Sequence, residues 1–212
     1  MAREMLVSIP AGAVLLEGMF ALPASPIGVV LFAHGSGSSR FSPRNNQVAS
    51  ELQAAGIGTL LLDLLTLDED ALYRHRFDID VLASRLHAAE SWLGTQPPTA
   101  ALPLGLFGAS TGAAAALRVA ADSGRGIAAV VSRGRRPDLA GMALAQVLAP
   151  TLLIVGGDDG VVLDLNRQAY AALSCEKLLE IVPGATHLFE EPGALEQVAA
   201  LASNWFVRHF NA

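Results

Sequence analysis

Short apolar runs recur along the chain, and stretches with helical spacing of apolar residues separate them. The runs predict strands at 5–9, 14–20, 29–33, 59–62, 104–107, 127–131, 152–155 and 178–182. The stretches between them predict helices at 46–55, 79–93, 111–121, 163–173 and 194–209. A turn at Pro10, Ala11 and Gly12 joins the first two strands. From residue 28 onward strands and helices alternate, which predicts an α/β fold with a mostly parallel sheet and helices on both faces.

In such folds, functional groups gather where the strands end at their carboxyl side. These ends fall at 34–39, 63–66, 110, 132–136, 158–160 and 183–187. A serine, acidic residues and a histidine are therefore expected to meet along one edge of the sheet.

The segment "GASTG" around Ser110 lies between a predicted strand and a predicted helix. The residue directly after Gly112 is not a lysine, so a phosphate-binding loop is excluded, and the glycine spacing does not match a dinucleotide fingerprint. The pattern G-x-S-x-G in this context matches a nucleophile elbow, in which flanking glycines let the serine adopt a strained backbone. The alternative is that Ser110 only caps the helix that follows it.

A serine nucleophile needs a base and a group that orients this base. Among the five histidines, His187 lies in a loop after the last predicted strand, whereas His34 is expected to shape a glycine loop. The segment "LLIVGGDDGVV" offers two acids, Asp158 and Asp159, and the residues alone leave the choice open. The order Ser, Asp, His is that of hydrolases with a nucleophile elbow. The predicted oxyanion donors are the backbone N–H groups of Thr111 and Ser36.

Composition excludes several function classes. The formal net charge of −6 argues against nucleic acid and anionic membranes as partners. A single cysteine, Cys175, excludes an internal disulfide and favours the cytoplasm. No apolar run is long enough to span a membrane, and the first residues lack the apolar segment of a signal peptide. We expect one domain over residues 1–212, as a monomer or a homo-oligomer.

The segments "FAHGSGSSRFSPRN", "FGASTGAAAAL", "LLIVGGDDGVVLDLN" and "VPGATHLFEEPGALEQV" together resemble the α/β hydrolase superfamily. They are most similar to small dienelactone-hydrolase-like proteins, including hydrolase domains fused to phosphoribosyltransferases. The resemblance implies a triad of Ser110, Asp159 and His187, with Asp158 as the alternative acid. Dienelactone hydrolase itself uses a cysteine nucleophile, so the serine here does not imply lactone hydrolysis. The chain also lacks an insertion long enough for the lid of an interfacial lipase.

Arginines follow several predicted strands. Those at strand ends are Arg40, Arg44, Arg74, Arg76, Arg133, Arg135 and Arg136. Because arginine suits recognition of carboxylate and phosphate groups, Arg40, Arg44, Arg76 and Arg133 are candidates for binding an anionic substrate. The alternative is that these arginines are solvated or pair with nearby acids such as Asp63.

These observations predict a serine hydrolase that acts on an ester, thioester or lactone of a small, anionic substrate. A non-catalytic binding domain on the same fold is the main alternative. An acyltransferase or a haloperoxidase-type enzyme would use the same triad. Neither a metal nor another cofactor is predicted, since the chain has no H-E-x-x-H motif and no ligand cluster around its cysteine.

Overall fold

One mixed sheet of eight strands organises the molecule, in the order β1-β2-β4-β3-β5-β6-β7-β8. The computed structural model describes residues 3–123, 126–134 and 136–211. The strands are β1 (Arg3–Ala11), β2 (Val14–Leu22), β3 (Gly28–Ala33), β4 (Ile57–Leu62), β5 (Leu104–Ala109), β6 (Ala129–Arg133), β7 (Thr151–Gly156) and β8 (Lys177–Val182). Strands β3 to β8 run parallel, while β2 pairs antiparallel with both β1 and β4. The predicted mostly parallel sheet is confirmed.

The central strands are buried on both faces. Every residue of β3, β4, β5, β6 and β7 is buried. This explains why their sequences are continuous apolar runs rather than alternating patterns. Any polar group of these strands that meets a substrate must therefore lie at or just beyond a strand end.

Helices cover both faces of the sheet, as predicted. They are α1 (Pro43–Ala54), α2 (Leu67–Asp70), α3 (Ile79–Thr95), α4 (Thr111–Asp122), α5 (Gly160–Ala172) and α6 (Ala194–Phe210). Helices α1 and α6 pack together and share one apolar cluster with the sheet. Helices α3 and α4 contribute to the cluster on the other face.

Some predicted boundaries were wrong. The first strand continues through Pro10 and Ala11, and the turn lies at Gly12, whose φ is +67°. Proline fits there because β1 is the edge strand, where its missing N–H costs no ladder bond. Helix α1 begins at Pro43 rather than at residue 46, because the Ser42 side chain accepts a hydrogen bond from the Asn45 N–H and caps the helix.

The pattern also missed short helical segments. Helix α2 and two 3₁₀ segments, Tyr73–Phe77 and Pro137–Gln146, were not predicted. Each is too short or too irregular to show a 3.6-residue period, and Gly141 breaks the second 3₁₀ segment with a φ of +58°. Among the residues that the structure describes, no helix combines the length and apolar character needed to cross a bilayer.

Candidate active site

Ser110 lies on a sharp turn between β5 and α4. Its φ of 54° and ψ of −121° place a non-glycine residue in a region that side chains rarely adopt. Ser110 occupies the N-cap position of α4, but its side chain makes no capping hydrogen bond there, so a capping role does not account for its hydroxyl. Strain of this kind persists only where surrounding contacts impose it, and it is frequent at functional sites.

The flanking glycines are required because the turn is crowded. A Cβ on Gly108 would lie 2.4 Å from the Ala113 Cα, and a Cβ on Gly112 would lie 2.2 Å from the Ala33 carbonyl oxygen. The Ser110 N–H also donates to the Arg133 carbonyl oxygen on neighbouring strand β6, at 3.1 Å. The G-x-S-x-G spacing is therefore explained by close approach of the turn to α4 and β3.

His187 and Asp159 form the second part of the site. The His187 Nδ1 lies 3.1 Å from an Asp159 carboxylate oxygen. Asp159 is largely buried, whereas its neighbour Asp158 is exposed to solvent. The structure thus places Asp159, rather than Asp158, beside the imidazole.

The loops that carry this pair are held against each other. The Asp158 N–H donates to the Ala185 carbonyl oxygen at 3.0 Å, and a Cβ on Gly156 would lie 2.3 Å from the same oxygen. Phe189, two residues after His187, is fully buried in the apolar cluster under α6. These contacts fix the histidine loop at the carboxyl ends of β7 and β8.

Ser110 and His187 line the same cleft, which has a volume of about 100 Å³. We call it the serine cleft; the residues lining it are Gly35, Ser36, Ser38, Ser42, Arg44, Asn45, Ala109, Ser110, Arg133, His187 and Leu188. The cleft gathers residues from the ends of β3, β5, β6 and β8 and from the first turn of α1. The convergence expected from the strand ends is therefore present.

The two expected oxyanion donors are the residue that follows Ser110 in the chain and a residue of the serine cleft. Thr111 is the first residue of α4, so its backbone N–H has no acceptor within the helix. Ser36 lines the serine cleft and, together with Thr111, a small adjacent cavity. A Cβ on Gly35 would lie 2.8 Å from the Ser110 Cβ, so the glycine loop passes very close to the serine.

The imidazole of His34 holds this glycine loop in place through two hydrogen bonds. Its Nε2 accepts a hydrogen bond from the Leu64 N–H at 3.0 Å, so the ring proton is on Nδ1, which donates to the Gly35 carbonyl oxygen at 2.9 Å. Burial lowers the pKa of His34, and weaker contributions from Gly35, Asp63 and Asp70 oppose this effect. The neutral ring therefore links the loop to the end of β4.

Two of the four candidate substrate arginines line the serine cleft. Arg44 pairs with Glu190 at 3.2 Å and is one-third exposed. Arg133 is 8% exposed, and burial lowers its pKa to about 10, with a further contribution from Arg44. Both arginines thus line the cleft that contains Ser110.

The structure places the other two candidates outside this cleft. Arg40 pairs with Asp63 and Glu17, and Arg76 donates to the Asp70 carboxylate at 2.9 Å. Arg40 lines a separate groove of about 600 Å³ that also contains Leu15, Phe41 and Leu67. We call it the Arg40 groove. For Arg40 and Arg76, the contacts favour the alternative that they pair with nearby acids.

The three remaining arginines carry no substrate assignment. Arg74 is exposed, and Arg136 pairs with Asp138 at 3.0 Å. Arg135 lies outside the described residues.

Asn45 is a residue of the cleft that the sequence interpretation missed. It is 2% exposed, and its side-chain oxygen accepts a hydrogen bond from Arg133 Nη2 at 3.1 Å. The Ser-Pro pair at 42 and 43 is a helix-start signal that would have placed Asn45 in the first turn of α1, at the edge of the sheet.

Comparison with solved structures identifies the family. A crystal structure of dienelactone hydrolase from Anabaena variabilis is 55% identical, with 98% of each chain covered and a TM-score of 0.95. The chain belongs to the dienelactone hydrolase family. Esterase Est1E from Butyrivibrio proteoclasticus, at 14% identity and a TM-score of 0.81 over 98% of this chain and 99% of its own, shares the fold. The chain therefore has the α/β hydrolase fold, as the resemblance of its sequence motifs implies.

Longer proteins contain a closely similar segment. Two Mycobacterium tuberculosis proteins, each named "Putative phosphoribosyl transferase", are 58% identical over 207 residues, which is 98% of this chain. The chain spans 47% of the length of each. No protein-family model matches the sequence of the chain itself.

Proposed function

We propose that the protein is a serine hydrolase that cleaves an ester or thioester of a small substrate through Ser110, His187 and Asp159. The observation that carries the proposal is the 3.1 Å contact between His187 and Asp159 in a cleft that also contains the strained Ser110. A nucleophile, a base and a group that orients the base thus follow the carboxyl ends of β5, β8 and β7, respectively, at one edge of the sheet.

In the acylation step, Ser110 Oγ attacks the carbonyl carbon while His187 Nε2 takes the hydroxyl proton. Asp159 accepts a hydrogen bond from His187 Nδ1, which holds the ring in the tautomer whose Nε2 acts as the base and stabilises the imidazolium that forms. The imidazolium then donates its proton to the leaving oxygen or sulfur, which departs as an alcohol or thiol. The product of this step is an ester of Ser110.

The negative charge that develops on the carbonyl oxygen needs donors that are already in place. The N–H of Thr111, at the positive end of α4, is one, and the N–H of Ser36 is the other. Each such donor is worth about 3–4 kcal/mol in related sites. Water, activated by His187, then hydrolyses the acyl-enzyme and restores the free serine.

The competing functions differ at identifiable points. An acyltransferase would pass the acyl group to an alcohol or amine instead of water, with the same first step. A binding domain would leave Ser110 unreactive. The transferase name of the M. tuberculosis proteins applies to chains of which this one spans 47%, whereas the Anabaena hydrolase matches over 98% of its length. Hydrolysis is therefore the proposal we adopt.

The test is covalent labelling with a fluorophosphonate, followed by peptide mass spectrometry. We expect a single adduct on Ser110 that is lost in Ser110→Ala and strongly slowed in His187→Ala. Ser38→Ala is the matched control, since Ser38 lines the same cleft without a proposed catalytic role, and it should label like the wild type. An unlabelled but folded wild-type protein would contradict the proposal and favour a binding domain.

A further inference from the structure

Arg133 is a buried cation that forms no ion pair with an acid of residues 3–123, 126–134 or 136–211. Its Nη2 donates to Asn45, but Nη1 is buried and has no hydrogen-bond partner among the described residues. In the described part of the chain, no carboxylate forms an ion pair with Arg133, although the side chain is more than nine-tenths buried. A buried charge without a partner is energetically costly, so a protein that keeps one has a use for it.

A second cation increases this cost. The positive charge of Arg44 acts on Arg133, and the two side chains line the serine cleft together. Glu190, two-thirds exposed, balances Arg44 alone, at 3.2 Å. The cleft therefore holds an excess of positive charge beside Ser110, in a protein whose overall charge is negative.

The guanidinium of Arg133 is held in one position. Asn45 is buried in the first turn of α1 and orients Nη2, while the ring of Phe107 lies 5.7 Å from the guanidinium carbon. The amino-terminal end of α1, capped by Ser42, faces the same cleft and adds a partial positive charge. The positions of these groups are set before any ligand binds, which is the condition for strong anion recognition.

We propose that Arg133 and Arg44, with the amino-terminal turn of α1, form a binding subsite for a phosphoryl group of the substrate. The inference rests on the proposed function in one respect, namely that the group belongs to a molecule cleaved by Ser110. The subsite itself does not require that Ser110 be reactive.

The number of donor groups favours a phosphoryl group over a carboxylate. A phosphate monoester carries a charge between about −1.5 and −2 at neutral pH and three acceptor oxygens. It can therefore balance the charge of Arg133 and accept from both guanidinium groups and from the helix end at the same time. A carboxylate has only two oxygens, which lie in one plane, so it would leave one of these three donor groups without an acceptor.

The test measures binding of inorganic phosphate to the full chain by calorimetry, in the wild type and in Ser110→Ala. We expect saturable binding in both proteins, weakened at least about tenfold in Arg133→Gln. The matched control is Arg118→Gln, because Arg118 pairs with Asp80 on the surface and should leave the affinity unchanged. Equal affinity in Arg133→Gln and the wild type would overturn the subsite.

A second variant keeps Arg133 in place. Asn45→Asp has nearly the same shape but puts a carboxylate against the guanidinium, so it should abolish phosphate binding and raise the melting temperature. A merely structural role for Arg133 predicts the higher melting temperature but no phosphate binding in the wild type. Acetate and succinate form the carboxylate arm of the test, and binding of either as tightly as phosphate would overturn the phosphoryl assignment.

Failure of this inference and failure of the proposed function are distinguishable. Phosphate binding without fluorophosphonate labelling would contradict the serine hydrolase alone. Labelling of Ser110 without phosphate binding would contradict the subsite alone.

Discussion

The serine cleft and the Arg40 groove lie along the same edge of the sheet, yet they differ in whether their most buried arginine pairs with an acid. In the Arg40 groove the cation is matched, since Arg40 contacts both Asp63 and Glu17. In the serine cleft, Arg133 donates its hydrogen bond to the neutral amide of Asn45, and Ser110 is held in a strained conformation. Matched charges hold two elements together, whereas unmatched charges and strain are typical of sites that await a ligand.

Among the described residues, a paired and an unpaired side chain also occur at two adjacent positions of one loop. Asp159 contacts His187, while Asp158 points to solvent and contributes only its backbone to the loop. We expect Asp159→Asn to lower kcat about 10⁴-fold for a neutral ester such as p-nitrophenyl acetate, because the amide favours the wrong imidazole tautomer. Asp158→Asn is the matched control, and steady-state kinetics should place it within about twofold of the wild type. The reverse ranking would assign the orienting role to Asp158.

Paired and unpaired arginines should also differ in stability. Arg40→Met removes the guanidinium that pairs with the largely buried Asp63 and leaves this carboxylate only the backbone N–H of residue 40, so we expect the free energy of unfolding to fall by about 2–3 kcal/mol. Arg133→Met removes a desolvated charge at the expense of one hydrogen bond to Asn45, so the change should stay below about 1 kcal/mol. Urea unfolding of both variants measures the difference. Equal losses of unfolding free energy in the two variants would mean that the charge of Arg133 is as well balanced by its surroundings as that of Arg40.

His34, which lines cavities on the sides of both sites, gives the smallest effect. Burial lowers its pKa in the folded protein below the ordinary 6.5, so the unfolded chain binds the proton more readily. The stabilisation from neutral His34 is therefore fully present above pH 6.5 and is lost as the pH falls from 6.5 toward the folded pKa. The slope cannot exceed about 1.4 kcal/mol per pH unit.

Urea unfolding at pH 7.5, 6.5 and 5.5 tests this dependence. His34→Gln should flatten the pH dependence of the unfolding free energy, whereas His75→Gln, in the Tyr73–Phe77 segment, should keep it. An unchanged slope in His34→Gln would show that another group is responsible.

The sequence was most informative where one physical cause dominates. Burial on both faces leaves continuous apolar runs, so the parallel strands were predictable from the residues alone. The predicted start of α1 was three residues too late, because the signal there is the Ser42–Pro43 cap, which periodicity does not show. The segment Pro137–Gln146 was not predictable, since its turns follow from packing against α4.

The candidate site was predictable in part. Strand ends and the G-x-S-x-G motif bring Ser110, His187 and an acid to one edge. Asp158 and Asp159 are adjacent, so the local backbone conformation decides which of the two side chains faces His187. A sequence pattern does not show that conformation. Likewise, a position after a strand does not reveal whether an arginine meets a carboxylate, as Arg40 does, or a buried amide, as Arg133 does.

The hydrogen bond from the Ser110 N–H to the Arg133 carbonyl oxygen also fixes the distance between the backbones of these two residues. The two residues extend from neighbouring strands in which Ala109 is paired with Arg133, so their backbones are separated by one strand spacing, about 4.8 Å. The backbone positions from which the proposed nucleophile and the proposed anion-binding side chain extend are therefore set by the sheet itself. Changes in the surrounding loops can alter the width or polarity of the cleft, but they leave this backbone spacing unchanged.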